Sequence, residues 1–344
     1  MQKVRWGILG AARIATTKVI PAMQRGSLSE IAGIASRDRA RAEEAARLLG
    51  IPKAYGSYEE MLADPEIEAV YNPLPNHLHV PLSLRAAENG KHVLCEKPIG
   101  LNAAEARELM AARDRTGVVI GEAFMVRTHP QWIRAAELVR TGRIGQLRAA
   151  RGSFFYFNAK PENIRNILAY GGGALMDIGC YPVNVSRMVF GEEPRRVAAN
   201  MLRDSRFGTD ILTSAVLEYS SGHCIFTCGT QMVPSQSMEF LGTTGRLWLD
   251  IPFNAIPNQI SRLHLDDGSD LAGSGITTEE FAPCDQYTLQ GDAFSRAIRE
   301  HGRPPVPLED SVLNMAVIDA LFRAAQTGQW EEPAQFAAGT GAAL

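Results

Sequence analysis

No run of apolar residues in this chain approaches the ~20 that a membrane-crossing helix requires, and the opening Met-Gln-Lys-Val-Arg-Trp is not an apolar signal segment. A soluble, cytoplasmic protein is the expectation. Paired cysteines are lacking too: the five present are an odd number without a CxxC pair, which excludes a disulfide framework and suits a reducing compartment. None of the seven histidines falls in an HExxH-type or close Cys/His pattern, so no metal is expected. A strong excess of one charge is missing as well. With a formal net charge of -3 and a pI near 6.2, nothing draws the whole molecule to nucleic acid or an anionic membrane, and any phosphate-binding site must be local. Internal repeats and low-complexity blocks are absent before an Ala/Gly-rich end, residues 333–344, expected to be a flexible tail. What remains is an ordinary globular composition, 45% hydrophobic and 21% charged. Its 344 residues exceed what one core usually holds, so two domains are expected.

The first 122 residues read as strands alternating with helices. Residues 4–9 (VRWGIL) form a short apolar run that breaks at Gly10, and residues 13–25 then space Ile14, Val19, Ile20 and Met23 as one helix face. The turn Gly7-Ile-Leu-Gly10-Ala-Ala12-Arg13-Ile14 is a degraded glycine fingerprint, in which backbone N–H groups at a helix N-terminus receive a pyrophosphate; Ala12 replaces the middle glycine. A second strand, 30–35, ends about 20 residues further on, where a dinucleotide fold reads the ribose. Ser36 and Arg37 stand there, followed by Arg39 and Arg41. A hydroxyl and a guanidinium suit a 2′-phosphate. The competing readings are a solvated basic start to helix 38–49 and, through Asp38, an acid for the 2′-hydroxyl.

A capping box at Ser57–Glu60, a strand at 69–72, the turn Pro73-Leu-Pro-Asn76-His-Leu-His79, a helix at 80–89 and a strand at 92–95 continue the alternation. Asn102 caps another helix, and residues 118–122 close the sheet. The pattern is that of a doubly wound parallel sheet. At the carboxyl end of the 92–95 strand, where such sheets bind ligands, stand Glu96, Lys97 and Pro98. A lysine there is either half of a charged surface turn or a catalytic group whose pKa burial can lower.

Beyond residue 123 strands predominate: 146–156, 195–204, 211–219, 223–231, 237–241 and 246–249, with Ser220-Ser221-Gly222 as a hairpin turn. We expect an α+β second domain over 123–332, with a broad, mostly antiparallel sheet. Helices 292–300 and 308–325 would cover one face, and the other would be free to pack on a second copy. Within this domain the stretch GGGALMDIGCY, residues 171–181, puts Asp177 and Tyr181 four residues apart after a glycine-rich loop, on one helix face. A carboxylate and a phenol so placed are acid/base equipment; alone, a helix cap and a half-buried tyrosine would read the same way.

Taken in order, GILGAARIA, ASRD, NPLPNHLH, CEKP, EAFMVR and GGGALMDIGCYP resemble the Gfo/Idh/MocA oxidoreductase family, and the resemblance runs from Met1 to about residue 330. Each motif is modest; their order and spacing are specific. The resemblance implies an N-terminal Rossmann domain carrying NAD or NADP. It makes Lys97, Asp177 and Tyr181 catalytic. It adds Pro73, Asn76, His79, Glu96 and Arg127 to the cofactor set, and Arg165 and Tyr287 beside Lys97, Asp177 and Tyr181 to the substrate set. A tyrosine at 181, where inositol-dehydrogenase branches carry histidine, is more similar to the branch holding dimeric dihydrodiol dehydrogenase, glucose–fructose oxidoreductase and NADP-dependent xylose dehydrogenases.

The expectation is therefore an NADP-dependent dehydrogenase that takes hydride from a carbinol carbon of a sugar, for example C1 of a pentose to give a lactone. A trans-dihydrodiol dehydrogenase and a non-catalytic nucleotide-binding regulator are the alternatives. Lys97 would lower the pKa of Tyr181, with Asp177 orienting the substrate, or Asp177 would itself be the base. A homodimer or homotetramer built through the second sheet completes the picture.

Overall fold

The computed structural model describes residues 1–335, so the tail beyond 335 lies outside the described residues. Two compact units emerge, Met1–Thr128 with Asp285–Val312, and His129–Cys284 with Leu313 onward.

In the first unit six strands, β1 (Val4–Leu9), β2 (Ser29–Ala35), β3 (Lys53–Tyr55), β4 (Ala69–Asn72), β5 (His92–Cys95) and β6 (Ile120–Glu122), form one parallel sheet in the order β3-β2-β1-β4-β5-β6. This is the Rossmann order, with the reversal between β1 and β4, where such sheets open a ligand crevice. The strands are near-continuous apolar runs because helices cover both faces of a parallel sheet. One core holds Trp6, Ile8, Val19, Ile34, Tyr71, Leu94 and Phe294, all buried. Phe294 lies on the helix Gln286–Arg299, which begins six residues before the 292–300 helix expected to cover the second sheet and ends one residue short of it. It packs on the first unit instead. Phe294 meets Trp6 at 5.7 Å between ring centroids, the Trp6 indole N–H donates to Ser295 at 3.1 Å, and Asp292 accepts from the backbone N–H groups of Ser27 and Leu28. Local periodicity gives a helix its apolar face but not the sheet that receives it.

The second unit is built on eight strands: β7 (Leu147–Phe157), β8 (Arg196–Arg203), β9 (Asp210–Glu218), β10 (His223–Gly229), β11 (Gln231–Gly242), β12 (Arg246–Leu249), β13 (Ser261–Asp266) and β14 (Ile276–Phe281). Their order is β14-β13-β12-β11-β7-β10-β9-β8, antiparallel throughout except for the parallel central pair β7 and β10. Even-numbered residues of β7 face the helix side: Ala150 and Phe154 are buried, and the helix Cys180–Phe190 lies over them. Odd-numbered ones face the opposite side, in register with Ile225 of β10 and Val216 of β9. That outer face carries exposed Phe157, Leu202 and Ile225 around a shallow recess of about 450 Å³.

Candidate active site

In the first unit the crevice begins at the turn after β1. Gly10 has φ +91°, and a Cβ there would stand 2.7 Å from Leu74 Cδ2, so both backbone conformation and space require glycine. Its N–H donates to Ala35 O at 2.8 Å, tying the turn to the end of β2. Helix begins at Arg13 and passes through a π segment, Ala15–Val19, before Ile20–Gln24. Ala11, Ala12 and Ile14 are partly exposed at its start, where N–H groups lack helical partners and an anionic group is favoured. Gly7, expected in the cofactor set, lies inside β1: a Cβ would fall 2.7 Å from Met61 Sδ, so its place is in strand packing.

At the end of β2 Ser36 is buried and its hydroxyl accepts from the Asp38 N–H at 3.2 Å. Asp38 caps the helix Arg39–Leu49, accepting from the N–H groups of Ala40 and Arg41. Its Oδ1 is therefore committed to the helix. Arg39 pairs with Glu60 at 3.0 Å, and Arg41 lies in a surface groove beside Thr16, Thr17, Glu44 and Leu48. Arg37 is exposed, and it offsets part of the rise that burial imposes on the Tyr58 phenol, whose hydroxyl lies 3.6 Å from the Cβ position of Gly10. Arg37 is thus the guanidinium set beside the glycine turn.

At the carboxyl ends of β4 and β5, Asn72 donates to His79 O and Ser83 Oγ, both at 3.1 Å, and accepts from the Leu74 N–H. Pro73 is buried, and Asn76 and His77 are partly exposed. His79, expected to touch cofactor, is buried instead. Its Nδ1 lies 2.7 Å from Pro98 O and its Nε2 2.7 Å from Leu74 O. Burial lowers its pKa to about 4, outweighing the two carbonyls, which favour a protonated ring. His79 therefore joins the 73–79 turn to the Glu96-Lys97-Pro98 loop and has no ring nitrogen left to give a nucleotide. Glu96 accepts the Tyr71 O–H at 2.6 Å. Tyr287, from helix Gln286–Arg299, belongs to this unit as well: burial and then the charge of Glu96 raise its phenol. Expected as a substrate residue, it is placed beside Glu96. Arg127 forms an ion pair with buried Asp310 at 3.2 Å.

In the second unit the glycine loop closes on itself: the Gly173 N–H donates to Arg165 O at 2.9 Å, and the Asp177 N–H to Gly173 O at 3.0 Å. A π segment, Leu175–Gly179, leads into the helix Cys180–Phe190. Such insertions recur at functional sites. Asp177 and Tyr181 do both look toward β7, but at different partners. Asp177 Oδ2 accepts the Tyr156 O–H at 2.6 Å and Arg165 Nε–H at 2.9 Å. Tyr181, 5% exposed, packs its ring against Phe154 at 5.8 Å and Phe253 at 5.5 Å. Phe154 and Tyr156, two apart on one strand, share a face by the pleat, so a single strand seats both groups. Burial and then the charge of Asp177 push the Tyr156 phenol far up, which keeps it a hydrogen-bond donor. Sequence reading omitted Tyr156 and Asp210; the two-residue alternation from Phe154 would have flagged the first.

A parallel sheet in Rossmann order with a glycine turn at its β1/β4 switch point is the arrangement of a dinucleotide-binding protein. The chain belongs to the Gfo/Idh/MocA family: residues 4–124 match the model of an oxidoreductase family with an NAD-binding Rossmann fold, and residues 132–248 match the family's C-terminal domain. A D-xylose 1-dehydrogenase (NADP(+)) of Haloferax volcanii is 41% identical over 94% of this chain and 98% of its own. The structure of an aldose-aldose oxidoreductase from Caulobacter crescentus, complexed with glycerol, superposes with TM-score 0.88 at 28% identity, covering 96% of this chain and 100% of that one. A 3-ketoreductase from Actinomadura kijaniata, in complex with NADP and TDP-benzene, superposes with TM-score 0.87 at 29% identity over 94% and 98%.

Proposed function

We propose that this oxidoreductase uses NADP to oxidise a carbinol carbon of a sugar, with C1 of a pentose yielding a lactone as the leading case. The observation that carries the reading is the state of Asp177. Its Oδ2 already accepts from a phenol and a guanidinium, so it is a weak base, and proton transfer falls to Tyr181. The resemblance to a xylose dehydrogenase supports the sugar. The exposed Arg37 and the commitment of Asp38 to its helix cap support NADP over NAD.

NADP, when bound, supplies the hydride acceptor. Gly10 and the N–H groups around Ala12 to Ile14 would hold the pyrophosphate, and Ser36 and Arg37 would hold the 2′-phosphate. Tyr181 takes the hydroxyl proton as the C–H bond breaks. A phenol of ordinary pKa, ~10, is a poor base at neutral pH, and Lys97 is assigned the charge that favours the phenolate and stabilises the developing alkoxide. Arg165 and Tyr156 hold Asp177, which orients the sugar hydroxyls. The presence together of Lys97, Asp177 and Tyr181 speaks against a regulator without chemistry.

The test is a panel of pentoses, hexoses and trans-dihydrodiols, followed by NADPH absorbance. Turnover with an aldose, and lactone as product, is expected. Turnover confined to dihydrodiols would transfer the reading to the aromatic alternative, and none with any carbinol would remove it.

A further inference from the structure

Asp210 opens β9 with 1% of its surface exposed. A carboxylate so buried needs a purpose, since burial alone disfavours its charge. Its Oδ2 accepts the Leu175 N–H at 2.8 Å and the Thr213 hydroxyl at 2.7 Å. Its Oδ1 fills the space beside Gly173, where φ is +121° and a Cβ would fall 2.0 Å from that oxygen. Leu175 is two residues before Asp177, at the end of the helix where N–H groups lack partners and the helix dipole favours an anion. The same helix start is bound to Arg165 through Gly173, and Arg165 in turn holds Asp177.

We propose that Asp210 is the positioning residue of the acid–phenol pair. By pinning the Leu175 N–H and the glycine loop to β9, it fixes the rotation of the π segment. Asp177 thereby meets Tyr156 and Arg165, and Tyr181 meets Phe154 and Phe253. With 1% of its surface exposed, Asp210 acts through these contacts and not on a substrate itself. A carboxylate at 210 and a glycine at 173 are thus two halves of one device, joined only by the fold. The inference rests on the proposed function for its kinetic consequence, and its structural part stands apart from it.

Asp210→Ala, Asp210→Asn and Thr213→Val are prepared, and nucleotide-binding sites are counted by NADPH fluorescence. Turnover per site should fall about 10²-fold or more in the alanine variant, the cost of a catalytic group displaced by an ångström. It should stay within about tenfold of wild type in the asparagine variant, which keeps an acceptor for both donors. NADPH affinity should stay within about twofold, because Asp210 shares no contact with the glycine turn, which belongs to the first unit. Amide hydrogen exchange at Leu175, Met176 and Asp177 should quicken in the alanine variant, while residues 183–189 keep their protection. Thr213→Val, which keeps the carboxylate, covers the case in which Asp210→Ala does not fold; a smaller loss of turnover with the same local exchange is expected. Loss of thermal stability with turnover per site and local exchange both unchanged overturns the proposal. Should wild type oxidise no sugar, the function reading fails, and exchange alone decides for or against Asp210.

Discussion

In the proposed reading, Arg37 is the side chain on which the choice of nucleotide turns. It is exposed beside the glycine turn, whereas the neighbouring acid, Asp38, turns its Oδ1 to the N–H groups of Ala40 and Arg41 as a helix cap. Charge-assisted hydrogen bonds to a 2′-phosphate are worth ~1.5–3 kcal/mol, so Arg37→Ala should weaken NADP by roughly 10- to 150-fold and leave NAD nearly unchanged in fluorescence titrations. Equal losses for both would make Arg37 structural. The sequence left Arg37 and Asp38 as rivals because they are adjacent; only the cap geometry separates them. Asp177 presents the same contrast. Spacing placed it with Tyr181, but its two donors, Tyr156 and Arg165, come from 21 and 12 residues away, and no local pattern reports such partners. His79, which the resemblance puts in the cofactor set, is instead buried between two backbone carbonyls, and no local pattern reports such tertiary neighbours.

Among the elements, those with a strong local signal were legible. The strand 92–95 and the caps at Ser57 and Asn102 lie where expected. The short β3 and the polar β14 were not anticipated, nor was β13, where alternation is confined to Leu263 and Leu265. Neither π segment leaves a mark in hydrophobic spacing. The helix Pro130–Arg140 offers a test at this scale. Its cap, His129, is buried; Nδ1 accepts the Gln131 N–H, and burial pulls the ring down to about 4. A histidine depressed in the folded state contributes stability that is fully present above its unfolded pKa, near ~6.5, and lost as pH falls toward the folded value. Between those values stability should decline with a slope of up to ~1.4 kcal/mol per pH unit from this residue. His129→Gln, followed by urea melts at pH 7 and pH 4.5, should reduce the difference between the two; an unchanged difference would assign the acid sensitivity to other groups.

The whole molecule pairs a nucleotide unit with a sheet whose outer face has no cover among the described residues. Phe157, Leu202 and Ile225 are 67%, 57% and 51% exposed there, large apolar side chains on one face of one sheet. We propose that a second copy covers it. Light scattering at micromolar concentration should give a dimer or tetramer, and Ile225→Glu should shift the mass toward the monomer; a monomeric wild type would remove the proposal. The most direct measurement of the role proposed for Tyr181 is one variant in one assay. Tyr181→Phe should retain NADP affinity while turnover of the oxidised sugar falls ~10²–10⁴-fold, the usual loss on removing an acid/base group. Turnover near wild type in that variant would contradict the account and pass the proton to Asp177 or to a water.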